Sequence, residues 1–116
     1  MRKLKKSECA ILPLVLKKKW YNLIDSGEKK EEYRAAKPYW EVRIGNWLKE
    51  AQSKNLAPVV AFSLGYRPAT MFFRVPAYPV MYSAGARHPG WGETAVPHYV
   101  IELGERVEIV EDPLAK

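Results

Sequence analysis

The sequence predicts an α+β domain in which two helices flank five or six short strands, curved into a small sheet or barrel. Three observations predict it. Apolar residues fall at helical spacing in two segments of the first half. The second half reads as short β-rich runs punctuated by Gly and Pro. The chain has 116 residues, 47% apolar and 28% charged. That is the size and composition of one globular domain, able to close a core without metals or disulfides.

Taken in order, residues 1–9 read as a basic N-terminal arm and residues 10–112 as the domain. Ala10–Leu16 is short, apolar and bounded by charge, the pattern of a buried strand. Leu16, Trp20, Leu23 and Ile24 then fall on one face of a helix over residues 17–26. Gly27 stands where a left-handed C-terminal cap belongs. Residues 28–34 would be polar on every side as a helix. As a strand, they put Lys30, Glu32 and Arg34 on one face. Pro38 suits the first position of a second helix, where its missing N–H breaks no bond. Trp40, Ile44, Trp47 and Leu48 form that helix's apolar stripe. Gly45 weakens it by about 1 kcal/mol relative to Ala, which leaves its end open. Val59–Leu64, Met71–Val75 and Tyr78–Tyr82 read as strands and residues 84–97 as a loop. Tyr99–Val110 reads as a strand kinked or bulged at Gly104.

Composition excludes several classes. The longest uncharged apolar run, Ala10–Leu16, is far short of the roughly 20 residues that a membrane-spanning helix needs. Pro13 interrupts it, Lys17-Lys18-Lys19 follow, and no small-residue cleavage site comes after, which argues against a secretion signal. Cys9 is the only cysteine. An internal disulfide is therefore excluded, which fits a cytoplasmic protein. His88 and His98 have no second pair of ligands nearby, so neither metal nor cofactor is expected. No phosphate-cradling glycine loop is present, and Ser63, Ser83 and Thr94 have no triad around them. The expected state is a monomer with no membrane partner.

The charge is uneven. Residues 1–30 carry nine basic and three acidic side chains, whereas residues 31–116 carry ten of each. All of the excess positive charge lies in the first quarter. A field of that sign attracts polyanions, and nucleic acid is the commonest in cells. The plain alternative is a solvated, solubilising N-terminus.

At Gly27-x-Lys29-x-x-Glu32-x-Arg34 the chain carries a recognisable pattern. An apolar strand and a Trp-containing helix lead into it. Lys37-Pro38-Tyr39-Trp40 follows, with Arg43 three residues on. Phe62, Gly65 and Tyr66 come later, then Trp91-Gly92 before a closing strand over residues 99–104. In this order the segments resemble the ASCH domain of the PUA-like superfamily, over about residues 10–105. The resemblance implies a PUA-like β-barrel with flanking helices and a cleft lined by the signature residues, taking RNA, a nucleotide or a nucleoside. Some relatives hydrolyse an amide on acylated cytidine nucleosides, and others cleave RNA. Lys29 matches the catalytic lysine of the amidohydrolases. Glu32 stands where those enzymes carry threonine, a departure from their pattern. Their third member is a glutamate before the last strand. Glu93, the only carboxylate between Glu50 and Glu102, is its candidate counterpart.

On physical grounds Arg34 would hold Glu32 in a charge-assisted pair. Lys29 would take a proton from water or bind an anionic oxygen, with Glu32 or Glu93 shuttling protons. Lys30 and Glu31 read as solvated charges. Tyr33, Tyr39, Tyr66 and Trp91 are candidate stacking surfaces for bases, and Arg67 a candidate phosphate contact. Trp20, Trp40 and Trp47 lie on apolar helix faces and are expected in the core. Three readings follow: a nucleotide- or RNA-binding module, a hydrolase acting on a modified nucleoside or on RNA, and a basic adaptor docking on a ribonucleoprotein.

Overall fold

A computed structural model describes residues 1–82, 85–86, 91, 93–94 and 97–112. Two α-helices, α1 (Lys18–Asp25) and α2 (Pro38–Ser53), join ten strands among the described residues. The strands are β1 (Arg2–Lys5), β2 (Cys9–Leu16), β3 (Glu31–Ala35), β4 (Ala57–Leu64), β5 (Met71–Arg74), β6 (Val80–Tyr82), β7 (Gly85–Ala86), β8 (Glu93–Thr94), β9 (His98–Glu102) and β10 (Arg106–Val110). They form a mixed five-stranded sheet in the order β1-β10-β5-β4-β2, a three-stranded sheet β3-β9-β6 and the small ribbon β7-β8. The α+β class is as expected.

The five-stranded sheet cannot be flat. Its two edges, β1 and β2, run in the same direction and are separated only by the 3-10 turn Lys6–Glu8. Lys5 and Cys9 can lie at most about 14 Å apart along the chain, whereas a flat sheet of this order sets its edges about 19 Å apart. The Cys9 thiol reaches the Lys5 carbonyl at 3.5 Å. The sheet is therefore rolled, and β1–β2 acts as one bent strand that serves both edges. No hydrogen-bonded ladder closes it among the described residues, so the expected barrel is seen only as this curl. Pro13 is tolerated in β2 because an edge strand leaves one side of its backbone unpaired.

Rolling gives both faces of the sheet something to cover. Val60 and Phe62 of β4, Leu12, Leu14 and Leu16 of β2, and Met71 and Phe73 of β5 face the helices. They pack against Ile24 of α1 and against Ile44, Trp47 and Ala51 of α2. The Trp47 indole N–H donates to the Ala10 carbonyl at 2.8 Å, locking α2 onto β2. Val59, Leu4, Cys9 and Val107 form a smaller cluster on the other side. Burial on both faces explains why β4 reads as an unbroken apolar run rather than an alternation.

Three expectations need correction. Residues 2–5 are not a loose arm: β1 pairs in parallel with β10 from Arg2↔Val107 to Lys5↔Val110, and Leu4 is buried. Ser7 ties the following turn to the Asp112 carboxylate through both its N–H, at 3.1 Å, and its hydroxyl, at 2.6 Å. A strand whose only apolar member is one leucine gives no periodic signal. The run Tyr99–Val110 is two strands, β9 and β10, in different sheets, because Leu103–Glu105 forms a turn between them. Residues 84–97, expected as a loop, include the short ribbon β7-β8.

The two glycines of interest have opposite roles. Gly45 lies on the exposed face of α2, and a Cβ there would meet nothing within 4 Å. Gly104 donates its N–H to the Arg74 carbonyl at 2.8 Å, and a Cβ there would sit 2.8 Å from that same oxygen. Gly45→Ala is expected to stabilise the protein by about 0.5–1 kcal/mol. Gly104→Ala is expected to cost about 1–3 kcal/mol through backbone displacement. Urea unfolding midpoints at unchanged slope check both.

Candidate functional site

The local chain path brings the charged motif inside. Helix α1 ends at Gly27, whose φ of +82° is the left-handed conformation expected of it, with its N–H on the Ile24 carbonyl at 3.1 Å. The Lys29 N–H returns to the Leu23 carbonyl at 2.9 Å. This fold-back directs Lys29 inward. Strand β3 then pairs with β9 from Glu31↔Glu102 to Ala35↔His98, and alternation sends Glu32 and Arg34 to the same side.

Lys29 is 2% exposed and Glu32 6% exposed, the two buried ionic side chains among the described residues. The Lys29 ammonium donates to Glu32 Oε1 at 2.8 Å and to the Glu31 carbonyl. Arg34 Nη2 donates to Glu32 Oε2 at 2.6 Å and to the Val15 carbonyl at 3.0 Å. One carboxylate thus bridges two cations, using both oxygens. The Lys29 nitrogen lies 5.7 Å from the Trp20 ring centroid and 5.0 Å from that of Tyr33. The Arg34 guanidinium lies 4.8 Å from the Trp40 ring centroid. Such contacts are attractive and strengthen when water is excluded.

Lys29, Glu32, Arg34, Trp20 and Tyr33 line a cavity of about 350 Å³. Val15, Leu16 and Lys17 form one wall at the end of β2, and Trp20 enters from α1. Glu32, Tyr33, Arg34 and Ala35 come from β3, with Lys29 beneath and Trp91 completing the lining. The volume is at the small end of ligand pockets and suits one compact ligand unit. A larger cavity of about 720 Å³ lies between the last turns of α2 and residues 74–78. Its lining is mainly apolar and uncharged, with Arg74 and Glu105 as its only charged members. Volume alone therefore does not locate the chemistry; the convergence of buried charge does.

Of the residues singled out in the sequence, Lys29, Glu32, Arg34, Tyr33 and Trp91 line the smaller cavity together. Tyr39, Tyr66 and Arg67 do not. Tyr39 precedes the inward stripe of α2 by one residue, a rotation of about 100°. It is exposed, beneath the Arg43 guanidinium at 4.3 Å. Tyr66 and Arg67 are exposed in the turn after β4, Tyr66 completely so. Gly65, with φ of +60°, makes this turn and donates its N–H to the Leu16 carbonyl at 3.4 Å. Tyr66 and Arg67 thus stand beside the rim and outside the cavity. The backbone of Glu93 pairs with Ala86, and its side chain lies outside what the structure describes, as do His88 and Gly92. Lys30 is exposed, in keeping with a solvated charge.

Sequence reading missed Val15, Lys17 and Trp20. Trp20 was expected in the core, yet it only half-buries there and turns its ring toward the cavity, with Lys19 4.8 Å from its centroid and Lys29 on the same ring. Trp47 is core as expected. His98 is buried and meets Tyr33 edge-on at 5.6 Å, and no group of metal-ligating side chains occurs among the described residues. Cys9 takes no part in the cavity. Burial, reinforced by the charge of Glu8, pushes its thiol up, so it is a poor nucleophile near neutral pH.

Comparisons of the chain with protein-family models, with curated proteins and with solved structures return no match.

The bridge sets a clear order of mutational cost. Removing Glu32 leaves two cations, one of them buried, facing each other without a counter-charge. Removing Lys29 leaves Glu32 still paired with Arg34. Breaking a buried pair from one side costs about 3–5 kcal/mol. Glu32→Ala is expected in that range and Lys29→Met well below it. Chemical denaturation of both variants checks the ranking, and a Lys29→Met cost equal to or above that of Glu32→Ala contradicts it.

Proposed function

We propose that the chain is an ASCH-type, PUA-like module that binds RNA or a nucleotide in the cavity built on Lys29, Glu32 and Arg34. The observation that carries this reading is the convergence of that ion bridge with Trp20, Tyr33 and Trp91 around one small cavity. A base has aromatic walls to stack on, and the cations offer contacts to phosphate or to base oxygens. The excess positive charge of the first quarter supports the same ligand class. The rolled sheet, with its single bent edge strand, supports a PUA-like curl. No helix among the described residues is long and apolar enough to cross a membrane.

A second reading, hydrolysis of an amide on an acylated cytidine nucleoside or cleavage of RNA, is favoured by one observation: a lysine and a carboxylate share the cavity lining. Here the pairing itself matters. Lys29 already donates to Glu32 and to a carbonyl, so its nitrogen lone pair becomes available only after the ammonium gives up a proton and those contacts loosen. The geometry therefore supports binding more directly than turnover. The adaptor reading loses its detachable arm, because residues 2–5 are a paired strand.

Fluorescence titration reading Trp20 and Trp91 tests the proposal, using mononucleotides and short RNAs at low and moderate salt. Saturable binding that weakens as salt rises is expected. Lys29→Met should weaken it by about tenfold or more, about 1.4 kcal/mol. Absence of any salt-sensitive binding at micromolar protein overturns the proposal. For the hydrolase reading, the same variant should abolish turnover of an acylated nucleoside, and equal rates in variant and parent dismiss it.

A further inference from the structure

Resting on the nucleotide-binding reading, the geometry points to a more specific ligand. We propose that the cavity takes a nucleotide carrying a terminal phosphate monoester, with the phosphate held between Lys17 and the unpaired Nη1 donor of Arg34.

The Arg34 guanidinium has five N–H groups. Nη2 gives both of its own, to Glu32 Oε2 and to the Val15 carbonyl. Nη1 and Nε have no hydrogen-bond partner among the described residues. The Arg34 side chain is only 15% exposed, yet no enclosed side-chain nitrogen among the described residues lacks a partner. These donors are therefore reached by solvent, and the cavity that Arg34 lines provides the route. Glu32 and Val15 fix the guanidinium plane. Both forks of a guanidinium include Nη2, so Nη1 and Nε are left as separate single donors of fixed direction, and Nη1 can give a charge-assisted hydrogen bond to one phosphate oxygen.

Charge then selects among anions. The lining holds three cationic side chains, Lys17, Lys29 and Arg34, against the single described carboxylate, Glu32. The excess is two positive charges. A diester carries one negative charge, whereas a terminal phosphate monoester carries about −1.5 to −2 near neutral pH and matches the excess. Lys17 is exposed at the rim and takes part in no ion pair among the described residues. It is free to close on the outer phosphate oxygens, while the Trp20 ring lines the cavity beside it. The space of about 350 Å³ admits one nucleotide unit and excludes a stacked run of bases.

The same chemistry is presented by a free mononucleotide and by the 5′-phosphorylated end of an RNA strand, and the test separates them. Isothermal titration is run with uridine, uridine 5′-monophosphate, and short oligouridines with 5′-phosphate or 5′-hydroxyl ends. The monophosphate is expected to bind at least tenfold more tightly than uridine. Lys17→Ala, a substitution at an exposed rim position, should remove most of that difference. Arg34→Gln should also reduce it; its circular dichroism spectrum reports whether it folds, and Lys17→Ala carries the test if it does not. A 5′-phosphate preference among the oligomers, at affinities above the mononucleotide's, assigns the ligand to an RNA end. Tighter binding of the mononucleotide assigns it to free nucleotide. If uridine and its monophosphate bind equally, the phosphate site is refuted while the nucleotide pocket stands. If Lys17→Ala keeps the full preference, the assigned position is refuted. If none of the four binds, the underlying reading falls with it.

Discussion

One carboxylate holds this site together. Glu32 lies where water scarcely reaches, and an isolated ion there would cost several kcal/mol in lost solvation. It is retained because both of its oxygens meet a cation, Lys29 on one side and Arg34 on the other. Arg34 in turn donates to the Val15 carbonyl, which belongs to the edge strand of the five-stranded sheet. The bridge therefore does more than neutralise charge. It ties the three-stranded sheet to the five-stranded one at the point where the cavity opens. Aromatic rings around the two cations lower the local dielectric and strengthen each contact, at the cost of making any unpaired member more expensive.

The rolled sheet supplies the other half of the geometry. A bent strand serving two edges brings the end of β2 beside β3, so that Val15, Leu16 and Lys17 face Glu32 and Arg34 across a short gap. The turn between β9 and β10 is fastened to the end of β5: the Gly104 N–H meets the Arg74 carbonyl, and the Arg74 N–H meets the Glu105 carbonyl. The Leu103 N–H closes the other end on the Lys30 carbonyl, one residue from Lys29. Backbone contacts thus hold the motif from both flanks. Glu32 and Arg34 rest on β3, Val15 on β2 and Trp20 on α1, while Lys29 sits in the short connection between α1 and β3 and is held there by its own backbone and side-chain bonds.

Much of this was legible in the sequence because it depends on local rules. Gly27 marks a helix end through its backbone freedom, and Pro38 marks a helix start. The stripe Trp40, Ile44, Trp47 and Leu48 fixes which side of α2 faces inward, and strand alternation puts Glu32 and Arg34 together. What escaped was set by long-range pairing. Residues 2–5 are basic apart from Leu4, so nothing local announces that they pair with β10. Sheet membership was equally silent: residues 99–110 read as one strand, and only the approach of Gly104 to Arg74 divides them. Lys17 and Trp20 escaped because the sequence shows a helix's apolar face but not the cavity that one part of it borders. Tyr39 and Tyr66 drew attention as aromatic residues near the motif, but proximity in sequence did not become proximity in space.

The most direct test of the account is NMR observation of the Lys29 side-chain ammonium. A buried ammonium held by Glu32 and the Glu31 carbonyl should exchange its protons slowly and give a resolved nitrogen–proton signal at neutral pH, unlike the exposed lysines. Glu32→Gln should weaken or remove that protection, and addition of uridine 5′-monophosphate should shift the signal. A spectrum in which no lysine ammonium is protected, or in which the protected signal ignores both the substitution and the nucleotide, would contradict the claim that this ion bridge organises the pocket.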